Sequence, residues 1–129
     1  MSRAILVVDD DGAIVRLYAT ALSQLGQVTA VNGGQEAIEA LRTTRFDAAV
    51  IDLYMPGVGG LDVLDSLPGT INHDTPVFVV TADQSESTRA LAMRRGAIYQ
   101  LTKPVPLRIL IDSVRTQLDR KNRSSKLPP

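Results

Sequence analysis

Short runs of apolar residues alternate along this chain with longer segments in which apolar residues recur every three or four positions. Five runs of four or five residues are typical of strands buried on both faces, and the segments that follow them are typical of amphipathic helices. Because right-handed crossovers between parallel strands place helices on both faces of a sheet, the pattern predicts an α/β domain. The predicted strands are residues 4–8, 28–31, 48–51, 76–80 and 98–102.

Local signals set the ends of several predicted helices. Gly26 closes the first helix, and Pro106 begins the last. Asp83 with Glu86 three residues later resembles a capping box, which predicts a fourth helix from there to about Arg95. Beyond Asp119 the apolar period disappears. We therefore expect one domain at residues 1–119 and a basic, proline-containing tail or linker at residues 120–129.

Composition narrows the class of protein. The chain has 129 residues, which suits one domain, and its 14 basic and 14 acidic side chains cancel, which gives no signal for nucleic acid or membrane binding. It has no cysteine. The first apolar run is too short for a signal peptide or a membrane-spanning helix. We expect a cytoplasmic protein that binds neither nucleic acid nor membrane directly.

Polar residues that carry chemistry follow four of the predicted strands. Asp9 and Asp10 follow the first strand, Asp52 the third, Thr81 the fourth and Lys103 the fifth. Since parallel strands end at one edge of the sheet, these side chains are expected to meet. Carboxylates ~4 Å apart repel by roughly 4 kcal/mol at an effective dielectric constant of about 20, so a divalent cation would stabilise the cluster. Oxygen ligands favour Mg²⁺, and a lysine with a hydroxyl suits a phosphoryl group, which together indicate a phosphoryl-accepting aspartate.

Four motifs give the chain a family resemblance. ILVVDDD stands at the first strand, VIDLYMPGVGG at the third, VVTA at the fourth and LTKP after the fifth. Over residues 3–119 the chain resembles a response-regulator receiver domain, the CheY-like family of two-component signalling. The resemblance implies a flavodoxin-like (βα)5 fold with a five-stranded parallel sheet in the order 2-1-3-4-5, and a site between strands one and three.

The resemblance also implies a role for each motif residue. Asp52 would be the phosphoryl acceptor, and Mg²⁺ would be bound by Asp9, Asp10, Asp52 and the backbone carbonyl of Tyr54. Thr81 and Lys103 would contact the phosphoryl oxygens, and the Lys103–Pro104 peptide bond would be cis. Tyr54 and Asp83 would overhang the site and control the lifetime of the acyl phosphate.

The partners implied by the resemblance are those of a signalling domain. A sensor histidine kinase or phosphotransfer protein would donate the phosphoryl group. The domain would then switch conformation and act on a C-terminal output domain or a partner through the face formed by the last strand and last helices. Such a domain is not a dedicated enzyme, although it catalyses its own phosphotransfer and autodephosphorylation.

One position departs from the family pattern. Most receiver domains carry Tyr or Phe three residues before the lysine, whereas this chain has Gln100 there and an aromatic side chain only at Tyr99. Because strand side chains alternate between faces, Tyr99 is expected on the opposite face from the usual ring. Burying Gln100 would require hydrogen-bond partners, so we expect it at the surface as a polar contact or weakened switch residue.

Two other functions fit parts of the sequence. Asp9-Asp10-Asp11-Gly12 matches the first motif of haloacid-dehalogenase phosphohydrolases, which also use Mg²⁺ and an aspartyl phosphate, but their final acidic pair is missing. A receiver-like module that binds a partner without phosphorylation is the second alternative, against which the complete set of strand-end residues argues.

Overall fold

Five parallel strands form the centre of the molecule. The computed structural model describes the backbone of residues 3–126 and the side chains of residues 3–120. Strand order is β2-β1-β3-β4-β5, so the predicted flavodoxin-like topology is confirmed. The strands are β1 (Ala4–Val8), β2 (Gln27–Val31), β3 (Ala48–Asp52), β4 (Val77–Thr81) and β5 (Tyr99–Thr102).

Within residues 3–126, five helices alternate with the strands, and each face of the sheet packs against a separate hydrophobic core. On one face Leu6 and Ile51 pack with residues of the second and third helices, and on the other Val50 packs with residues of the first and last. Every residue of β3 and β4 is buried, as expected for central strands covered on both faces. The helices are α1 (Gly12–Leu22), α2 (Gly34–Thr43), α3 (Gly60–Asp65), α4 (Glu86–Arg94) and α5 (Leu107–Lys126).

The start of α4 differs from the prediction. Ser85, and not Asp83, is the N-cap, and its hydroxyl oxygen accepts a hydrogen bond from Thr88 N at 3.3 Å. The Asp83 carboxylate instead accepts a bond from Ser85 N at 2.8 Å, which stabilises the loop before the helix. The predicted capping box was therefore wrong, because a second capping residue lies two positions further on.

Helix α5 extends beyond the last apolar residue of the sequence pattern. Among its described side chains, those of Leu110, Val114 and Leu118 are buried, yet its backbone remains helical to Lys126. The predicted boundary after Asp119 thus does not coincide with a helix end. The assignment of residues 120–129 as a tail or linker stays a prediction, and residues 127–129 lie outside the described part of the chain.

The loop between β3 and α3 is positioned by two close backbone approaches. A Cβ added to Gly60 would lie 2.6 Å from the carbonyl oxygen of Asp52, and one added to Gly34 would lie 2.2 Å from that of Val58. Only glycine permits such approaches. The backbone that follows Asp52 is therefore packed against both α3 and α2.

Candidate functional site

Three carboxylates converge where β1 and β3 end. Carboxylate oxygens of Asp9, Asp10 and Asp52 all lie within 4.8 Å of one another. Asp9 is 1% exposed and Asp52 is 4% exposed, whereas Asp10 is exposed. The parallel pairing of β1 with β3 brings the cluster together.

Asp11, the last residue of the ILVVDDD motif, has a different role from its two acidic neighbours. Its carboxylate caps α1 by accepting hydrogen bonds from Ala13 N at 2.9 Å and Ile14 N at 3.3 Å. The capping bonds satisfy two backbone N–H groups that have no partner within the helix. The acidic run therefore contributes two residues to the cluster and one to the helix.

Lys103 supplies the positive charge of the site. Its Nζ lies 3.1 Å from Oδ2 of Asp9 and 3.4 Å from Oδ2 of Asp52. The side chain enters from the loop after β5, where the Lys103–Pro104 peptide bond is cis. Burial lowers the pKa of Lys103, but its close contacts with the carboxylates of Asp9 and Asp52 outweigh burial, and the pKa is raised. Lys103 therefore stays protonated beside both carboxylates.

Asp52 lies in an environment that disfavours its ionised form. Burial, and after it the charge of Asp9, raise the pKa of its carboxyl to about 6, although Lys103 acts in the opposite direction. Desolvation and a neighbouring like charge destabilise a carboxylate unless a cation compensates. Asp52 is therefore a buried carboxylate whose charge is only partly balanced by Lys103.

The donor set fits a hard divalent cation. Oδ1 of Asp9 accepts a hydrogen bond from Asp11 N at 2.9 Å, while its buried Oδ2 has an ionic contact with Lys103 but no aligned hydrogen bond. A buried carboxylate oxygen without a hydrogen bond can serve as a metal ligand. All three clustered side chains offer oxygen, the atom that Mg²⁺ prefers.

Thr81 lies at the carboxyl end of β4, on the same edge of the sheet as the clustered carboxylates. The residue is 1% exposed and is the last of its strand. Its hydroxyl oxygen accepts a hydrogen bond from Asp83 N at 3.0 Å. A hydroxyl that accepts one bond can still donate its own hydrogen, for example to a phosphoryl oxygen.

Tyr54 and Asp83, which the resemblance places over the site, are in contact. The Tyr54 hydroxyl donates to Oδ2 of Asp83 at 2.9 Å, and Thr88 Oγ1 of α4 donates to the same oxygen at 2.7 Å. The bond from Thr88, together with those from Ser85 and Tyr54, lowers the pKa of Asp83 well below its ordinary value. The two residues thus form one hydrogen-bonded group with Thr88.

Similarity to known proteins agrees with this arrangement. The family model for the response regulator receiver domain matches residues 5–115. The chain belongs to the response-regulator receiver-domain family. This membership favours signalling over the phosphohydrolase alternative, since the match covers the first-strand motif on which that alternative rested.

Named relatives place this receiver domain among two-component response regulators. It is 40% identical over 121 residues to the response regulator MprA of Mycobacterium tuberculosis, covering 93% of this chain and 52% of MprA. The receiver domain of the Francisella response regulator 1452 has a TM-score of 0.84 at 31% identity, with 92% of this chain and 98% of that chain covered. DrrB of Thermotoga maritima, an OmpR/PhoB homologue, has a TM-score of 0.85 at 27% identity over 94% of this chain and 54% of its own.

This receiver domain spans about half the length of the curated relatives that it matches. Among the described residues, none of the helices is long and apolar enough to cross a membrane.

Gln100 does not lie where we expected it. Instead of remaining at the surface, it is half-buried, and its Nε2 donates to the backbone carbonyl of Asp83 at 3.3 Å. Its Oε1 is buried without a hydrogen-bond partner. Tyr99 is 55% exposed, with its ring centroid 6.4 Å from that of Phe78. Tyr99 and the buried Leu101 lie on one face of β5, whereas Gln100 lies on the other face and bonds to the loop before α4.

Tyr18 is a buried residue of α1 near the site, and none of the sequence motifs indicated it. It is 4% exposed in the core shared by α1 and α5. Burial raises the pKa of its hydroxyl. The charge of Lys103 lowers this pKa, and the charges of Asp9 and Asp52 raise it. Its hydroxyl is hydrogen-bonded to the backbone of Val105, two residues after Lys103. A tyrosine in a buried stripe needs such a partner, and that requirement was the available signal.

Proposed function

We propose that this receiver domain takes a phosphoryl group onto Asp52 from a phosphohistidine of a sensor kinase or phosphotransfer protein. An oxygen of Asp52 forms a bond to phosphorus while the bond from phosphorus to the imidazole nitrogen breaks and its electron pair returns to the imidazole. The observation that carries this proposal is the position of Asp52, 4% exposed, with its Oδ2 3.4 Å from Lys103 Nζ.

Each surrounding residue has a role in this proposal. Lys103 balances the negative charge of the transferred group, and the Thr81 hydroxyl donates to one of its oxygens. Asp9, Asp10, Asp52 and the carbonyl of Tyr54 would hold Mg²⁺. When bound, Mg²⁺ supplies charge neutralisation for the carboxylates and the phosphoryl oxygens.

Phosphorylation would then bias the domain between two conformations. Moving such an equilibrium from 1:99 to 99:1 requires about 5.5 kcal/mol of differential interaction. New bonds from Thr81 and Lys103 to the phosphoryl oxygens are the source we propose. A similar structure, with a TM-score of 0.83 and 26% identity, is that of the BeF3-activated DrrB receiver domain, so beryllium fluoride activates that protein.

The output surface in this proposal is the face of α4, β5 and α5, which would contact an output domain or partner protein. Gln100 lies in β5 and bonds to the loop before α4, so it connects this face to the residues that follow Thr81.

Labelling with a small phosphodonor tests the proposal. After incubation with acetyl phosphate and Mg²⁺, intact mass should show one added phosphoryl group, which EDTA prevents. Asp52→Asn should abolish the adduct. Asp11→Asn is the matched control, because asparagine caps a helix as well as aspartate and the residue lies outside the cluster. An adduct formed at full yield in Asp52→Asn would refute the assignment.

A further inference from the structure

The carboxylate of Asp83 joins the loop after β3 to the start of α4. Its Oδ2 accepts hydrogen bonds from Tyr54 in the β3–α3 loop and from Thr88 in the first turns of α4, at 2.9 Å and 2.7 Å. Its Oδ1 accepts the backbone N–H of Ser85, the α4 N-cap, at 2.8 Å. The hydroxyl oxygens of Tyr54 and Thr88 are also 3.3 Å apart.

We propose that Tyr54, Asp83 and Thr88 form a latch that couples the first turns of α4 to the mouth of the phosphoryl site. In this latch Asp83 is a positioning residue. It holds the Tyr54 ring between the loops that follow Asp52 and Thr81, and Thr88 holds Asp83. The part that concerns the acyl phosphate rests on the proposed function of Asp52.

The hydrogen-bond donors around Asp83 indicate that its carboxylate positions Tyr54 and does not itself activate a water molecule. Two hydroxyls and one backbone N–H already donate to its two oxygens. The pKa of Asp83 is well below its ordinary range, first because of the Thr88 hydroxyl. A carboxylate so engaged is a weak base, and its geometry is set by α4 and Tyr54.

Helix α4 is suited to respond to the state of this latch. Of its nine residues only Ala92 is buried, so few apolar contacts fix its position. Segments with few buried apolar contacts open most easily. The Asp83 backbone N–H also donates to the Thr81 hydroxyl at 3.0 Å, so the latch adjoins a residue that is proposed to contact the phosphoryl group.

Reciprocity follows from this arrangement. If an ordered first turn of α4 stabilises Tyr54 in its position over the site by some free energy, then Tyr54 in that position stabilises the ordered turn by the same free energy. A partner that binds α4 would therefore alter the lifetime of the acyl phosphate through Thr88, without touching the site.

Hydrogen exchange of the unphosphorylated protein tests the latch without any phosphoryl chemistry. Tyr54→Phe keeps the ring and removes the hydroxyl. We expect the amides of Thr88 and Arg89 to exchange roughly two- to tenfold faster, the range for the loss of one hydrogen bond. The exchange rates of the α5 amides should be the same as in the wild type. An unchanged rate at Thr88 and Arg89 would overturn the proposal.

Decay of the acyl phosphate tests the coupling to the site. Thr88→Val should accelerate the loss of phosphate roughly two- to tenfold. Thr88→Ser, which restores the hydroxyl, should decay like the wild type. So should Ser87→Ala, which removes a hydroxyl that lies 3.4 Å from that of Ser85 and takes no part in the latch. The double variant Tyr54→Phe/Thr88→Val should decay no faster than Tyr54→Phe alone, which a purely structural effect of Thr88 would not produce.

The outcomes separate the two proposals. Wild-type decay in Thr88→Val, or additive effects in the double variant, would overturn the latch while leaving Asp52 as acceptor. If Asp52 takes no phosphoryl group at all, the proposed function fails, and the exchange measurement still decides whether the latch exists.

Discussion

Nζ of Lys103 lies 3.4 Å from Oδ2 of Asp52, although the two residues are separated by two strands and two helices along the chain. The contact joins a lysine with a cis peptide bond after it to the last residue of the central strand. Lys103 also contacts Asp9 at 3.1 Å, so one ammonium is shared by two buried carboxylates. The site therefore has an excess of negative charge before any ligand is considered.

This excess predicts that Asp52→Asn stabilises the metal-free protein. The pKa of Asp52 is raised to about 6, first by burial and then by Asp9, so its ionised form costs folding free energy at neutral pH. We expect the variant to gain about 1–3 kcal/mol in urea unfolding with EDTA. Mg²⁺ should stabilise the wild type more than the variant. Lower stability of Asp52→Asn in EDTA would show that its bond to Lys103 outweighs the repulsion.

Tyr54 should slow the loss of phosphate from the domain. Tyr54 is 56% exposed, and its hydroxyl donates to Asp83 at 2.9 Å, so we expect its ring to restrict the access of water to Asp52. Tyr54→Ala should therefore lose the acyl phosphate faster than the wild type. The increase should be roughly two- to tenfold if the activation free energy for hydrolysis falls by about the net free energy of one hydrogen bond. Intact mass followed over time, after removal of the phosphodonor, measures this rate. An unchanged or slower decay would contradict shielding.

Helix α4 should be the least protected of the five helices in hydrogen exchange. Ala92 is its one buried residue, whereas α5 buries Leu110, Val114 and Leu118 within its described side chains. Opening a helix with few buried apolar contacts costs little free energy. Native-state exchange resolved by residue provides the comparison. Faster exchange in the central turns of α5 than in those of α4 would be the opposite result.

Gln100→Met should stabilise the domain. Oε1 of Gln100 is buried without a hydrogen-bond partner, and its Nε2 makes one long bond, 3.3 Å, to the carbonyl of Asp83. Methionine has a similar shape and removes the unpaired acceptor, so we expect a gain of about 0.5–1.5 kcal/mol in urea unfolding. Gln117→Met is a control of the same chemistry on α5. A loss of stability in Gln100→Met alone would show that the bond to Asp83 matters more than the unpaired oxygen.

Much of the fold and of the site could be predicted from the sequence. Apolar runs ending at Val8 and Ile51 predicted two buried parallel strands, and parallel strands must end at a common edge. For that reason the convergence of Asp9, Asp10 and Asp52 could be predicted from their positions in the sequence. The strand order could be predicted only after the motifs had indicated the family.

Tertiary structure decided the features that depend on contacts between distant segments. The Tyr54 hydroxyl, for example, contacts Asp83 from a different loop. The first residue of α4 was instead decided locally, by backbone geometry around Asp83, Ser85 and Thr88 that the residue types alone left open. Gln100 lies beside the loop before α4 because the pairing of β5 with β4 fixes the face of the sheet on which each side chain lies, whatever its polarity. Sequence periodicity determines which residues can be buried, whereas the hydrogen-bond partners of polar side chains are determined by packing between segments far apart in the chain.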